Sequence, residues 1–323
     1  MNASSSAAPG RELAGPPVAV VTGGARGLGL ALAERFAAAG HRVVVGDLEG
    51  EALRAAAARL GDDHLAVAAD VTRPEDTARL AEAAVERYGR LDVWVNNAGV
   101  LADGPLAEQD PGLAAAMSRV NLDGTANGCR AALGVMLPAG RGRIVNVSSL
   151  TALKPLAGLA HYSATKAAVA ALSAALHREV KGSGVRVTAV LPHLLDTPAG
   201  SGLRARPTAA LAPERVAGLV VRLVTRGSRR QSVCVPWWAG PALRPAAFLP
   251  GVLRDLLDDL MRLDEIALGR DTRRRARYTA ELRARYGGGA ARPVPAERPA
   301  ATAGRPAAAG QPAAADQPAK DSA

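Results

Sequence analysis

No run of about 18 uncharged apolar residues occurs in the 323-residue chain, so a conventional transmembrane helix is not expected. Met1–Gly10 has neither a basic stretch nor an apolar one, and a secretory signal is not expected either. Only two cysteines are present, Cys129 and Cys234, with no Cys-x-x-Cys pair or His-rich partner nearby. That spacing builds neither a disulfide framework nor a zinc site, and a reducing cytoplasm is the expected compartment. Lysine is scarce too: Lys154, Lys166, Lys181 and Lys320 are the only four among 40 basic residues.

The net charge of +10 is local. Ser201–Arg292 holds 18 Arg against 8 acidic residues, and the rest of the chain balances at 22 against 22. A coding bias towards Arg and Ala and a functional basic surface both account for this. No zinc-finger, RNP-like or basic-zipper pattern accompanies it, so no nucleic-acid partner is expected. With 48% hydrophobic and 22% charged residues, wholesale disorder is excluded.

Composition marks the ends. Residues 1–16 are Ser/Ala/Gly/Pro-rich and read as a flexible arm, and residues 287–323 are Ala/Pro/Gly-rich and read as a disordered tail. Between them, short β-branched runs alternate with alanine-rich amphipathic stretches. Strands are expected at Val18–Thr22, Arg42–Gly46, Leu65–Ala68, Leu91–Val95, Arg143–Val147, Val185–Val190 and Ser232–Val235. Helices are expected near Leu28–Ala39, Glu51–Leu60, Pro74–Tyr88, Pro111–Leu137, Tyr162–Lys181 and Pro213–Thr225. This alternation predicts an α/β, Rossmann-like, doubly wound parallel sheet of seven strands over 17–250, with a helical extension over 251–286.

After the first strand comes Thr22-Gly23-Gly24-Ala25-Arg26-Gly27-Leu28-Gly29, leading into a helix. Glycines there let the backbone turn sharply and bring a helix N-terminus against a pyrophosphate. A purely structural turn uses glycine as well. The position of Asp47, 18 residues past Gly29 at the close of the second strand, adds a carboxylate that can accept both ribose hydroxyls of an adenosine.

Thr-Gly-x-x-x-Gly-x-Gly at this spacing resembles the short-chain dehydrogenase/reductase family. The likeness continues through Asp70, Asn96-Asn97-Ala98-Gly99, Asn121, Ser149 and Tyr162-x-x-x-Lys166, in that order, over roughly Pro17–Pro236. The resemblance implies a catalytic set of Asn121, Ser149, Tyr162 and Lys166. It also implies a nicotinamide-nucleotide site of Thr22, Gly23, Arg26, Gly27, Leu28, Gly29, Asp47, Leu48, Asp70, Val71, Asn97, Ala98, Gly99, Tyr162, Lys166, Pro192 and Thr197. By the same likeness, Asn121 positions a relay water, Lys166 binds the nicotinamide ribose, and the protein assembles as a dimer or tetramer.

The chemistry follows from the residues. Tyr162 and Lys166, at i and i+4, share one helix face. A phenol with pKa about 10 is a poor base at neutral pH, and a neighbouring ammonium, with a cationic nicotinamide nearby, is expected to lower that value. Tyr162 then exchanges a proton with an alcohol while a hydride moves to or from the nicotinamide. Ser149, at a strand's carboxyl end, holds the substrate oxygen. Each residue alone also has a plainer use: a solvated helix face, a strand-end cap, a polar helix position.

Two positions depart from the family pattern. His193 follows Pro192 where a glycine is usual, which limits access to positive φ, and Ala152 stands where a glycine often follows the serine. On cofactor choice, Arg26 suits a 2′-phosphate, whereas Asp47 followed by Leu48 suits a free ribose. Arg26 can equally pair with Asp47 or the pyrophosphate, and NAD(H) is the expected cofactor.

Beyond the last strand, Trp237 and Trp238 precede Leu253, Leu256, Leu257, Leu260, Leu263, Ile266 and Leu268 at helical spacing, with arginines between. One basic amphipathic helix is expected. It packs on its own domain or across a dimer, or else 237–286 lies on an anionic membrane. Apolar walls near the substrate mouth favour a lipophilic alcohol or ketone. The expected protein is an NAD-dependent alcohol/carbonyl oxidoreductase. The alternatives are an NADPH-dependent ketoreductase of 3-oxoacyl type and a non-catalytic nucleotide-binding adaptor.

Overall fold

The computed structural model describes residues 15–287 except 49, 205–208 and 247. The expected arm therefore lies outside the described residues up to residue 14, and the expected tail lies outside them from residue 288. Seven strands form one sheet: β1 (Val18–Thr22), β2 (Arg42–Asp47), β3 (Leu65–Ala68), β4 (Val93–Asn96), β5 (Gly142–Val147), β6 (Val185–Pro192) and β7 (Ser232–Val235). Their order is β3-β2-β1-β4-β5-β6-β7, and every pairing is parallel. The order reverses between β1 and β4, where a crevice opens outside the carboxyl ends of the strands.

The β-branched runs make these strands because both faces are covered. Ala19, Val21, Val43, Val45, Val93 and Val95 face one layer, built by α1 (Gly27–Ala38), α2 (Glu51–Leu60) and α7 (Pro213–Thr225). Val18, Val20, Val44, Trp94 and Ile144 face the other, built by α3 (Pro74–Tyr88), α5 (Gly124–Met136) and α6 (Ala160–Glu179). The sheet core also holds a polar chain: Trp94 donates to Asn96 (2.7 Å), Asn96 to Asn146 (2.9 Å) and Asn146 to Ser173 (2.9 Å).

The expected helix over Pro111–Leu137 is α4 (Pro111–Met117), a π-helical stretch over Ser118–Asp123, and α5. Pro111 and the Asp110 cap, which accepts from Gly112 and Leu113, start it. The wide turn carries Asn121.

The extension corrects the expectation of one basic amphipathic helix. After α8 (Ala239–Ala246), which precedes it, the extension is α9 (Gly251–Met261), a 3₁₀ turn over Leu263–Ile266, and α10 (Thr272–Tyr286). Arg262, with φ of 52°, breaks the chain after α9 and is the only non-glycine residue at positive φ among those described. Leu263 and Ile266 are buried, but Leu253, Leu256, Leu257 and Leu260 on α9 are exposed. Polar character is divided as well. The charged residues of α9 are Arg254 with Asp255, Asp258 and Asp259, whereas the arginine run belongs to α10. Apolar stripe and basic charge thus sit on different helices. Among the described residues, no helix is long and apolar enough to cross a membrane.

Candidate active site

The crevice at the strand ends is a cavity of about 840 Å³. All the sequence-expected site residues line it except Thr22, Gly29 and Asn121, which stand directly behind its wall. The glycine loop needs its glycines. A Cβ on Gly29 would lie 1.9 Å from the Gly23 carbonyl oxygen, and one on Gly23 would lie 2.7 Å from the Cα of Ala98. Asn97 fastens this loop, donating through Nδ2 to the carbonyls of Thr22 (3.1 Å) and Gly23 (3.0 Å). Thr22 Oγ1 accepts in return from the amides of Asn97 (3.1 Å) and Ala98 (3.3 Å). No side chain caps the N-terminus of α1, which faces the crevice beside Gly27 and Leu28. An uncapped helix start under a glycine cradle fits a pyrophosphate.

Farther along, Asp47 accepts from the amides of Ala25 (2.9 Å) and Leu48 (2.8 Å), one on each carboxylate oxygen. This fixes the carboxylate and leaves lone pairs for ribose hydroxyls. Asp70 binds Thr72 through both its amide (2.9 Å) and its hydroxyl (2.8 Å), and Val71 lies next to it on the cavity wall. At the opposite end Pro192 closes β6. Thr197 bends back against the glycine loop, where a Cβ on Gly27 would meet its Cγ2 at 3.3 Å. His193 needs no positive φ here, so the replaced glycine places no strain on this loop.

Ser149, Tyr162 and Lys166 come together between these ends. Ser149 lies two residues past the end of β5 and caps the short turn Leu150–Ala152, accepting from the Thr151 amide (3.2 Å), and its hydroxyl stands beside the Tyr162 phenol. Lys166 Nζ lies 5.7 Å from the Tyr162 ring centroid and donates to the Val147 carbonyl (3.0 Å). Removal from water brings the Lys166 ammonium from its ordinary 10.5 to about 8. Burial likewise pushes the Tyr162 phenol above its ordinary value, the Ser149 hydrogen bond opposing this and Tyr278 adding to it. In the protein alone desolvation disfavours both charges, and the expected lowering of Tyr162 calls for the cationic nicotinamide as well as Lys166. Asn121 is fully buried and clasps Val100, accepting from its amide (2.8 Å) and donating to its carbonyl (3.0 Å), with a further bond to Thr165 (3.1 Å).

The helix α10 supplies residues that sequence reasoning missed. Arg275 is ion-paired with Asp103 and donates to the carbonyls of Ala199 (2.9 Å), Ser201 (3.0 Å) and Leu101 (3.0 Å). It thereby clamps α10 onto both loops that flank the cavity. One turn on, the Tyr278 hydroxyl accepts from the Leu101 amide (3.0 Å), and Tyr278 and Tyr162 share one apolar cluster. Next, Glu281 pairs with Arg26 at 3.2 Å, rather than Arg26 pairing with Asp47. Finally, Tyr286 stands within electrostatic reach of Asp70 and Asp47. The arginine run gave one signal, since Arg275 and Tyr278 are spaced to share a helix face.

A doubly wound parallel sheet with a glycine cradle at its switch point defines a nucleotide-binding α/β protein. Residues 17–207 match the short chain dehydrogenase family, and the chain belongs to that family. An uncharacterised oxidoreductase of Mycobacterium bovis is 45% identical over 179 residues, which is 55% of this chain and 72% of the relative. The 1-deoxy-11-beta-hydroxypentalenate dehydrogenase of Streptomyces exfoliatus is 41% identical over 212 residues, 62% of this chain and 77% of the relative. Among solved structures, 3-ketoacyl-(acyl-carrier-protein) reductase from Brucella melitensis with NADH has a TM-score of 0.64 at 28% identity, covering 68% of this chain and 97% of that one. A single-substitution variant of actinorhodin polyketide ketoreductase with NADPH has a TM-score of 0.63 at 31% identity, covering 67% and 94%. The protein is an oxidoreductase acting on CH–OH groups and their carbonyls, with a nicotinamide nucleotide as cofactor. The helix α10 lies beyond the stretch that matches the family.

Proposed function

We propose that the chain is an NAD(H)-dependent dehydrogenase that interconverts a lipophilic alcohol and its carbonyl, with Tyr162 as the proton carrier. The observation that carries this reading is the meeting of Ser149, Tyr162 and Lys166 on the wall of a largely apolar cavity that has Asp47 at its far end. The bound nicotinamide supplies the hydride acceptor or donor. Ser149 holds the substrate oxygen, and Tyr162 takes the alcohol proton at its hydroxyl or returns it. Lys166, with its pKa brought down to about 8, exchanges a proton near neutrality and holds the nicotinamide ribose. Asn121, by clasping Val100, keeps the Asn97–Gly99 turn beside Lys166 and positions the relay water.

NAD(H) is favoured because the fixed Asp47 carboxylate accepts ribose hydroxyls and repels a phosphate dianion about 4–6 Å away. Leu150, Leu159, Leu203, Trp238, Met261 and Ile266 wall the substrate end, which favours a lipophilic alcohol over a sugar. The Streptomyces relative, named for a hydroxypentalenate, is in keeping with that. A homodimer or homotetramer is the assembly proposed. Calorimetric titration with NAD⁺ and NADP⁺, followed by a panel of lipophilic secondary alcohols and sugars, tests this reading. Tighter NAD⁺ binding and turnover of the lipophilic alcohols are expected. Binding with no turnover across the panel would favour the adaptor, and tighter NADP⁺ binding would favour the ketoreductase.

A further inference from the structure

We infer that Glu281 is a cofactor-selecting residue: it holds Arg26 so that Arg26 cannot receive a 2′-phosphate. The inference rests on the proposed reading in one respect, that the adenosine ribose lies between Asp47 and Arg26. Arg26 is the N-cap residue of α1 and the cation of the glycine loop, and it lines the cavity with Asp47, Leu48 and Glu281. Its Nη1 donates to Glu281 Oε2 at 3.2 Å. The other Glu281 oxygen, Oε1, accepts from Arg277 Nε at 3.3 Å, one turn back on the same helix. One oxygen is thus tied to α10 while the other reaches across to the glycine loop.

The element that delivers Glu281 is itself fixed. Asp271 caps α10 by accepting from the amides of Arg273 (3.0 Å) and Arg274 (3.2 Å), Arg275 clamps it to the loops at Leu101 and Ala199–Ser201, and Tyr278 takes the Leu101 amide. The Arg26–Glu281 pair is half-exposed, with side-chain exposures of 51% and 44%, and such pairs contribute little to folding. Its position gives it a different use. A 2′-phosphate arriving here meets two carboxylates, Asp47 and Glu281, and finds Arg26 already engaged. Arg285 lines the same end but lies one turn beyond Glu281 on α10, next to Tyr286. A free 2′-hydroxyl makes no demand on Arg26 and meets only its Asp47 acceptor. Replacing the Glu281 carboxylate by an amide removes the charge that holds Arg26.

The experiment is calorimetric titration of the full chain with 5′-AMP and 2′,5′-ADP, which differ only in the 2′-phosphate. It compares wild type, Glu281→Gln, Arg26→Ala and the double variant, each checked for wild-type circular dichroism. Glu281→Gln should tighten 2′,5′-ADP roughly tenfold and leave 5′-AMP within about twofold. The gain should shrink with added salt and fall to about twofold, the share owed to lost repulsion, in the Arg26→Ala background. An equal change for both nucleotides, or a gain undiminished by loss of Arg26, overturns the inference. Titrating wild type with NAD⁺ and NADP⁺ keeps the two claims apart. Tighter NADP⁺ binding there removes the NAD(H) preference, while the four-protein comparison still decides what Glu281 does.

Discussion

Arg275 and Asp103, 172 residues apart in sequence, form an ion pair whose side chains are only 3% and 5% exposed. Arg270 adds a second contact to Asp103 at 2.9 Å, and Arg275 donates to three loop carbonyls as well. A buried pair with these further partners holds α10 over the cavity, and removing either member leaves an uncompensated charge.

Asp103→Ala should therefore destabilise the fold by about 3 kcal/mol in denaturant unfolding. Arg275→Lys should not rescue Arg275→Ala, because an ammonium cannot serve one carboxylate and three carbonyls with the geometry of a guanidinium. A loss below about 1 kcal/mol for Asp103→Ala would mean that α10 is held by other contacts.

A second expectation concerns the glycine cradle. Gly29→Ala places a methyl group 1.9 Å from the Gly23 carbonyl oxygen, so the loop must move. Nucleotide affinity should fall by roughly a hundredfold or more while the sheet stays folded. Affinity within about threefold of wild type would mean that the loop does not bear on the phosphates.

Asp47→Ser should weaken NAD(H) and improve NADP(H) relative to it, by removing a ribose acceptor and a repulsive charge together. Because Glu281 still engages Arg26 in that variant, the gain for NADP(H) should be larger when Glu281→Gln is added. An unchanged ratio of the two dissociation constants in Asp47→Ser would place the adenosine ribose elsewhere.

The buried lysine gives the protein a pH signature. Folding lowers the Lys166 pKa from 10.5 to about 8, so between those values the unfolded chain binds a proton that the folded chain has released. Stability of the nucleotide-free protein should accordingly rise with pH from about 8 towards 10. Above 10 the raised Tyr162 phenol acts in the opposite sense, since the unfolded phenol ionises first. Lys166→Met should flatten the rise in a urea series. An identical slope in wild type and variant would show that Lys166 does not titrate there.

Much of this was legible in the sequence because local rules agree with the fold. The strands at Val18–Thr22 and Ser232–Val235 match the expected bounds residue for residue, since short valine-rich runs between turns have few other uses. The nucleotide crevice followed from glycine spacing together with Asp47. The π-helical stretch at Asn121 was not legible, because a continuous helical pattern gives no sign of one extra residue in a turn. The leucine spacing from Leu253 to Leu268 runs on across Arg262, so periodicity joined pieces that the left-handed turn separates. Contacts such as Arg275–Asp103 and Arg26–Glu281 join distant segments, and local patterning carries no record of them.

The most direct test of the whole account is Tyr162→Phe, which removes one oxygen and little else. Turnover of a lipophilic alcohol, followed by the absorbance of reduced nicotinamide, should fall by roughly a thousandfold or more. Calorimetric affinity for NAD⁺ should stay within about threefold of wild type, because the phenolic proton carrier is lost and the cradle is untouched. Turnover within tenfold of wild type, with NAD⁺ bound as before, would contradict the assignment of Tyr162 as the proton carrier.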